Sequence, residues 1–294
     1  MNKKIVAIAT SLVVSGGVLM GTAYTNAAQL SGYDAYKLAI KDTAKLKNET
    51  ADFKISVNDT GKNLIDVTSN VKVNSVTNAM SQTTTVKSSN GNETFSTFNE
   101  AGKSISKSSS SDVYNVRENN HKNFNKKDEK MNPQVINSVE TVVDILVGNM
   151  KNNVKVEPSN VEGAQKISIN LSQNEIVPLV NAIASIAMAK NNDEPMHNEK
   201  AGNIDLKNMI PQLESGIKVE SVVVTGDINK DNIINNQVAN IVLSGVDANG
   251  TTHKVTINAN LNLSNINSTT PDTVDLTGKQ VKTVTEQFEG RYRR

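Results

Sequence analysis

The most regular pattern in this 294-residue chain is the stretch Lys254-Val255-Thr256-Ile257-Asn258-Ala259-Asn260-Leu261-Asn262-Leu263-Ser264. Apolar residues occupy every odd position from Val255 to Leu263, and polar residues occupy every even position from Lys254 to Ser264. Successive side chains of a β-strand point to opposite faces of the sheet, so this pattern predicts a strand with one apolar and one solvated face. A strand of this kind needs a second layer over its apolar face.

Two groups of predicted strands accompany this stretch. Directly before it, strands are predicted over residues 219–225 and 239–246, with turns between them. Near the start of the chain, Ala51, Phe53, Ile55 and Val57 alternate with polar residues, and further strand and turn signals follow as far as Val116. Each group predicts an antiparallel meander, and we expect the two meanders to share one curved sheet.

Three helices are predicted to cover the apolar face of that sheet. The first begins with a variant of the capping box at Ser31 and is expected to run to about Leu46. Asn132 and Pro133 begin a second helix, which reaches Met150 and carries apolar residues at helical spacing along one face.

The third predicted helix, residues 176–188, is apolar on nearly all sides. A helix of this composition is buried or faces an apolar ligand. Periodicity alone favours a core helix packed on the sheet. The alternative is a helix that lines or plugs a lipid-sized cavity.

Composition excludes several classes of function. The chain has no cysteine, which excludes disulfides, thiolate metal sites and lipid attachment at an N-terminal cysteine. Aromatic residues make up 3% of the chain, and there is no tryptophan, so stacking surfaces for sugars or nucleobases are not expected. The formal net charge of +1 gives no global attraction to nucleic acid.

The first residues have the pattern of a secretory signal. Asn2, Lys3 and Lys4 form a short basic region, an apolar stretch follows from Ile5, and small residues precede a cleavage point near Ala28. An uncleaved membrane anchor is the alternative, because the apolar stretch approaches the length of a bilayer span. In both cases the rest of the chain is expected outside the cytoplasmic membrane.

No motif in the sequence predicts catalysis. The three histidines, His121, His197 and His253, lie in or beside polar turns, and none has a second histidine at metal-ligand spacing. The chain has no nucleophile elbow and no phosphate-binding glycine loop. We therefore expect a protein that is not an enzyme and that holds no cofactor or metal.

One segment resembles the beginning of a calcium-binding loop. Residues 227–232 read Asp-Ile-Asn-Lys-Asp-Asn, which matches the Asp-x-Asn-x-Asp start of such loops. A calcium loop of this type needs glycine at its sixth position and an acidic residue at its twelfth, where this chain has Asn232 and Val238. An ordinary hairpin turn is therefore the better interpretation.

The order of elements resembles that of LolA/LppX-type envelope proteins, including the related germination lipoproteins of spore-forming bacteria. A helix rich in tyrosine and lysine leads into Ala51-Asp52-Phe53, and a long meander and helices follow. A last meander then contains Gly226-Asp227-Ile228 and ends at Thr270-Pro271. The resemblance implies an α+β fold in which a curved antiparallel sheet, an incomplete β-barrel, wraps around a few helices.

Together with the signal pattern and the polar composition of the last residues, that resemblance divides the chain into a signal peptide (residues 1–28), a single LolA-like half-barrel domain (residues 29–275) and a polar, basic C-terminal tail (residues 276–294). It implies a binding or carrier protein that holds a lipid or a lipidated protein in the hollow between sheet and helices. The expected lining residues are Val143, Leu146, Val147, Ile183, Ile186 and Ala187. The alternative is an envelope scaffold with a solid core that binds a protein partner. Association with the membrane would be peripheral or through an N-terminal anchor.

Overall fold

The computed structural model describes residues 31–100, 102–118, 153–171 and 210–283. These residues contain one helix, α1 (Gly32–Thr43), and twelve strands that all belong to one sheet. The strands are β1 (Asn48–Asp59), β2 (Lys62–Asn74), β3 (Ala79–Ser88), β4 (Gly91–Glu100), β5 (Lys103–Ser108), β6 (Val113–Glu118), β7 (Val154–Pro158), β8 (Gln165–Leu171), β9 (Ser215–Ile228), β10 (Ile234–Val246), β11 (Thr252–Ser264) and β12 (Gln280–Thr283).

The sheet has the strand order β12-β6-β5-β4-β3-β2-β1-β11-β10-β9-β8-β7. Neighbouring strands run antiparallel, except that β12 runs parallel to β6. The end strands β12 and β7 do not pair with each other, so the curved sheet stays unclosed. The expectation of a large curved antiparallel sheet is thereby confirmed.

The two predicted meanders join through the pairing of β1 with β11. Thr50 lies opposite Ser264, and the register continues without interruption to Asp59 opposite Val255. In this register the odd-numbered, apolar residues of β1 lie opposite the odd-numbered, apolar residues of β11, as at Val57 and Ile257. The alternation that predicts β11 therefore also defines the two faces of the whole sheet.

Helix α1 covers one end of the apolar face. The Ser31 hydroxyl accepts a hydrogen bond from the backbone N–H of Asp34 at 3.2 Å, which confirms the predicted N-cap. The helix ends at Thr43, three residues before the predicted end at Leu46. The Thr43 hydroxyl donates to the Ala39 carbonyl at 2.7 Å and accepts from the backbone N–H of Ile234 at 2.9 Å, which ties the helix to β10.

The apolar face carries two clusters of buried side chains. The first cluster lies between α1 and the sheet and includes residues of both. It consists of Tyr33, Ala39, Val154, Ile167, Ile169, Leu171, Val222, Ile228 and Ile234. The second consists of Ile210 together with side chains of β1, β2, β3, β10 and β11, which are Ile55, Val57, Ile65, Val86, Leu243, Val255 and Ile257. In the second cluster, Ile210 precedes β9 and folds over the sheet.

The opposite face is crossed by the segment that follows β11, residues 265–279, which we call the C-terminal strap. The side chain of Asn48 bonds to both the N–H (2.7 Å) and the carbonyl (2.9 Å) of Thr269. Further along, Asp272 forms an ion pair with Lys72 at 2.7 Å, and its backbone N–H donates a hydrogen bond to Ser81 Oγ at 2.9 Å. The strap thereby brings β12 to the edge of β6.

Several expectations fall on residues outside the described part. These are the signal peptide and the two helices predicted over residues 133–150 and 176–188. Residues 276–283, assigned from sequence to the C-terminal tail, contain strand β12. Among the described residues, no helix has the length and apolar character needed to cross a membrane.

Candidate functional site

The six residues predicted to line an apolar cavity are Val143, Leu146, Val147, Ile183, Ile186 and Ala187. All six lie outside the residues that the structure describes. The sheet against which they were expected to pack is described. The candidate site is therefore built from the apolar face of that sheet.

A group of half-buried apolar side chains lies at the centre of this face. We call it the apolar patch, and it consists of Ala51, Phe53, Val71, Val73, Met80, Leu261 and Leu263. Cross-strand pairing makes the patch continuous, because Ala51 lies opposite both Val71 and Leu263, and Phe53 lies opposite Leu261. None of its members belongs to the side chains of either core cluster.

The patch lies away from helix α1, which contacts β7 and β10. Its residues come from β1, β2, β3 and β11. A fully exposed apolar patch of this size would favour aggregation, whereas a fully buried one would belong to the hydrophobic core. The patch has the intermediate exposure expected for a surface on which a further apolar group can pack.

A polar cluster within the sheet lies beside the patch. The hydroxyls of Ser69 and Thr84 are 2.8 Å apart, and the amide of Gln82 donates to Thr84 at 3.1 Å and to Ser69 at 3.3 Å. Ser69 lies directly opposite Phe53. Because these polar groups satisfy one another, they can lie next to apolar surface at little cost.

The row of residues at one end of the patch carries polar atoms without partners. Glu49 lies opposite Val73, Val73 lies opposite Met80, and Met80 lies opposite Asn99. The atoms Glu49 Oε2 and Asn99 Oδ1 are buried and have no hydrogen-bond partner. Burial raises the pKa of the Glu49 carboxyl above its usual value.

Glu93 is a buried carboxylate that accepts hydrogen bonds from serine side chains. It accepts hydrogen bonds from the hydroxyls of Ser108 at 2.5 Å and Ser110 at 2.7 Å. Two members of the serine run at residues 108–111 thus help to satisfy this buried acid. A serine that donates to a carboxylate lacks the intervening base of a catalytic triad, so the arrangement is structural.

His253 lies between two carboxylates at the opposite end of the sheet. Its Nδ1 atom is 2.7 Å from Asp59 Oδ2, and its Nε2 atom is 3.3 Å from Asp247 Oδ2. The Nε2 contact satisfies the distance for an ion pair but not the geometry of a hydrogen bond. The hydrogen bond that the ring donates to Asp59 is the largest cause of the raised pKa of His253, and burial opposes it.

The other two histidines, His121 and His197, lie outside the described residues. In the described part of the chain, no group of three or more His, Cys, Asp or Glu residues is arranged to hold a metal ion. The contacts of His253 with Asp59 and Asp247 connect the end of β1 to the turn between β10 and β11. Asp59 is the last residue of β1, and Asp247 opens the turn between β10 and β11.

The segment that resembles a calcium loop forms the turn between β9 and β10. The side-chain oxygen of Asn229 accepts the backbone N–H groups of Asp231 and Ile233, each at 2.9 Å. Asn232 adopts a positive φ of 59°, which asparagine tolerates better than most residues. Asn229 is thus used as an Asx-type turn residue, as the sequence interpretation favours.

The solvated face of the sheet has a groove of about 350 Å³. Its walls include the exposed side chains of Lys54 and Lys87, together with Asp66, Asn258 and Asn260. The volume lies at the lower limit of small-molecule sites, which are mostly apolar and enclosed. This groove is open to solvent, and most of its lining surface is apolar although charged and polar side chains stand in its walls. The apolar patch consists of apolar side chains alone, so it is the stronger candidate for an apolar ligand.

No family model and no curated protein match this chain. Among solved structures, 6 chains match it. One is the crystal structure of the ywiB protein from Bacillus subtilis, with 9% sequence identity and a TM-score of 0.18. The alignment covers 74% of this chain and 92% of that chain. A TM-score this low carries no argument about fold or function, so the functional conclusion rests on the residues of this chain.

Proposed function

We propose that this protein is a non-enzymatic binding or carrier protein that holds an apolar ligand, a lipid or a lipidated protein, against the apolar face of its sheet. The observation that supports this proposal is the apolar patch. Its seven side chains are continuous across four strands and remain half-buried. They are also absent from both core clusters.

The chemistry of such a site is the removal of hydrocarbon from water. Each methylene group that moves from water to an apolar surface contributes about 0.8 kcal/mol. A ligand that covers Phe53, Met80 and Leu261 would bury both its own surface and theirs. The fold contributes a broad, curved and preformed surface, which avoids the cost of ordering the site on binding.

The sequence adds a proposal about location. The pattern of residues 1–28 supports secretion, so we propose that the protein acts on the outer side of the cytoplasmic membrane. LolA-like architecture, proposed on the resemblance of the sequence, agrees with an unclosed curved sheet. The proposed ligand class follows from that resemblance together with the patch.

Native mass spectrometry of the full chain, purified without detergent, tests the proposal. We expect an added mass that is lost when the protein is extracted with organic solvent, and a lipid in the extract. A spectrum that contains only the mass of the chain, before and after incubation with a lipid extract, would count against it.

An envelope scaffold with a solid core is the second candidate. Ile210 favours it in part, because this residue already covers a section of the apolar face from within the chain. The two edge strands favour it less, since β7 and β12 are only 5 and 4 residues long. Capture of a protein partner by a chain that binds no apolar probe would support the scaffold.

A further inference from the structure

The apolar patch ends at a row of residues with a different chemistry. Glu49 has the same parity along β1 as Ala51 and Phe53, so it lies on the apolar face. Val73 and Met80 belong both to the patch and to the row that joins Glu49 to Asn99. The row is therefore the polar boundary of the patch.

Two acceptor atoms on this boundary are buried and have no hydrogen-bond partner, Glu49 Oε2 and Asn99 Oδ1. A buried polar atom without a partner costs free energy in the folded protein, and most such atoms in native proteins are paired. With strands about 4.8 Å apart, the two residues lie roughly 14 Å apart along the sheet. One small head group can therefore bond to only one of them, and Glu49 is the one on β1 beside Ala51 and Phe53 of the patch. An unpaired acceptor at the end of an apolar surface suits the head group of an amphiphile.

We propose that the patch and its polar boundary form a site for an amphiphile whose head group carries N–H or O–H donors, with the head at Glu49. This inference rests on the proposed function and specifies its ligand. The hydrocarbon chain lies across Phe53 and Leu261. An ammonium or hydroxyl head then supplies the hydrogen bond that Glu49 Oε2 lacks.

The charge of Glu49 also selects against one class of ligand. Its carboxyl has a raised pKa because of burial, and no cationic side chain contributes to that shift. A carboxylate in this position is stabilised by an approaching cation and repels a carboxylate or phosphate head. Fatty acids and phosphate-headed lipids are therefore disfavoured at this end of the patch.

Three probes with ten carbon atoms each test the inference, namely decylamine, decanol and decanoate. Each is titrated into the full-length protein below its critical micelle concentration. We expect decylamine to bind about tenfold more tightly than decanoate, with decanol between them. The Glu49→Gln variant should weaken decylamine binding about tenfold and leave the affinity for decanol within about twofold. The Glu162→Gln variant is the matched control, because Glu162 is exposed in the turn between β7 and β8.

A second variant separates binding from structure. Because Glu49 has an unpaired buried oxygen, Glu49→Met should raise Tm by about 2 °C while it reduces the preference for decylamine. A Tm that falls in Glu49→Met would show that Glu49 supports the fold and would overturn the inference. Equal affinity for all three probes would also overturn it and leave the proposed function intact. Failure of all three probes to bind would instead contradict the proposed function.

Discussion

His253 joins two turns that are far apart in the sequence. Its contact with Asp59 spans 194 positions, and the ring and both carboxylates are largely shielded, with side-chain exposures of 14% for His253 and 17% for Asp59. The raised pKa of His253 has a direct consequence for stability. The folded protein binds the proton more tightly than the unfolded chain, so protonation stabilises the fold.

We predict that His253→Gln lowers the free energy of unfolding by about 1 kcal/mol at pH 5.5 or so, where the pair with Asp59 is charged. The unfolded pKa of histidine is about 6.5, and the folded pKa is higher. The contribution of the charged ring is therefore complete below about pH 6.5 and is lost as pH rises through the folded pKa. Urea unfolding of both proteins across this range measures the difference. A difference that does not change with pH would contradict the prediction, and Asp59→Asn should show the same profile.

Gly32 is required by a close approach between the helix and an edge strand. A Cβ atom at this position would lie 2.5 Å from Val154 O and 3.0 Å from Val156 N, both backbone atoms of β7. Backbone atoms cannot move aside as the end of a side chain can. The first residue of α1 therefore lies directly against the backbone of β7.

We predict that Gly32→Ala destabilises the protein by about 1 to 3 kcal/mol, because β7 or the helix must shift to admit the methyl group. Helix propensity alone predicts the opposite sign, since alanine is favoured over glycine by about 1 kcal/mol within helices. Thermal unfolding of the variant decides between the two. A stabilised Gly32→Ala protein would show that the close approach does not exist in solution.

At the residue scale, the sequence predicts positions in turns better than it predicts contacts. The Ser31 N-cap is local, so a four-residue pattern is enough to predict it. The partners of His253 and the unpaired oxygen of Glu49 depend on strand register, which joins residues from distant parts of the chain. No signal within a few residues of either position indicates them.

Among the elements, the strands with regular alternation are the ones that the sequence predicts. Strand β11 has the clearest pattern, and β1 follows with Ala51, Phe53, Ile55 and Val57. Strand β12 is not predicted, because Gln280-Val281-Lys282-Thr283 is short and mostly polar and is exposed along its whole length. It exists as a strand because the C-terminal strap delivers it to the edge of β6.

The strap depends on a buried pair of hydroxyls. The hydroxyls of Thr50 and Thr269 are 2.8 Å apart, and Thr269 also donates to the carbonyl of Asn265 at 2.9 Å. A hydroxyl has a single proton, so Thr50 must be the donor in the contact between the two threonines. Removal of Thr269 thus leaves the Thr50 hydroxyl without a partner, whereas removal of Thr50 leaves the bond between Thr269 and Asn265 in place.

We therefore predict that Thr269→Val destabilises the protein by about 1 to 2 kcal/mol more than Thr50→Val does. Chemical unfolding of the two single variants gives the comparison. The double variant, in which both hydroxyls are replaced by methyl groups, should be more stable than Thr269→Val alone. Equal losses in the two single variants would contradict the assigned direction of the bond.

The contacts of the strap also predict which part of the chain detaches from the sheet first. Asn48 is the residue that satisfies both backbone groups of Thr269. The Asn48→Ala variant should expose residues 265–283 to limited proteolysis earlier than the remainder of the sheet, because those backbone groups lose their partners. Asn63→Ala, which removes only an exposed contact with Asp66, is the control. Identical cleavage of the two variants would contradict this role for Asn48.

For the whole molecule, the sequence predicts a curved antiparallel sheet formed by two meanders, and the structure confirms it. The location of the candidate site within that sheet could not be predicted in the same way. Alternation identifies the apolar face of each strand, but it does not distinguish side chains packed in a core, such as Val57 and Ile257, from half-buried ones such as Phe53 and Leu261. That distinction depends on which parts of the face other residues cover.

Leu261 and Asn260 offer a direct test of the proposed function, because they are adjacent on β11 and point to opposite faces of the sheet. The measurement is the dissociation constant of decanol for three full-length proteins, which are the unsubstituted protein, the Leu261→Asp variant and the Asn260→Asp variant. We predict that the charge at position 261 weakens binding at least about tenfold, because it must be desolvated beneath the ligand, whereas the same charge at position 260 leaves the affinity unchanged. Equal affinities in all three proteins would contradict binding at the apolar patch.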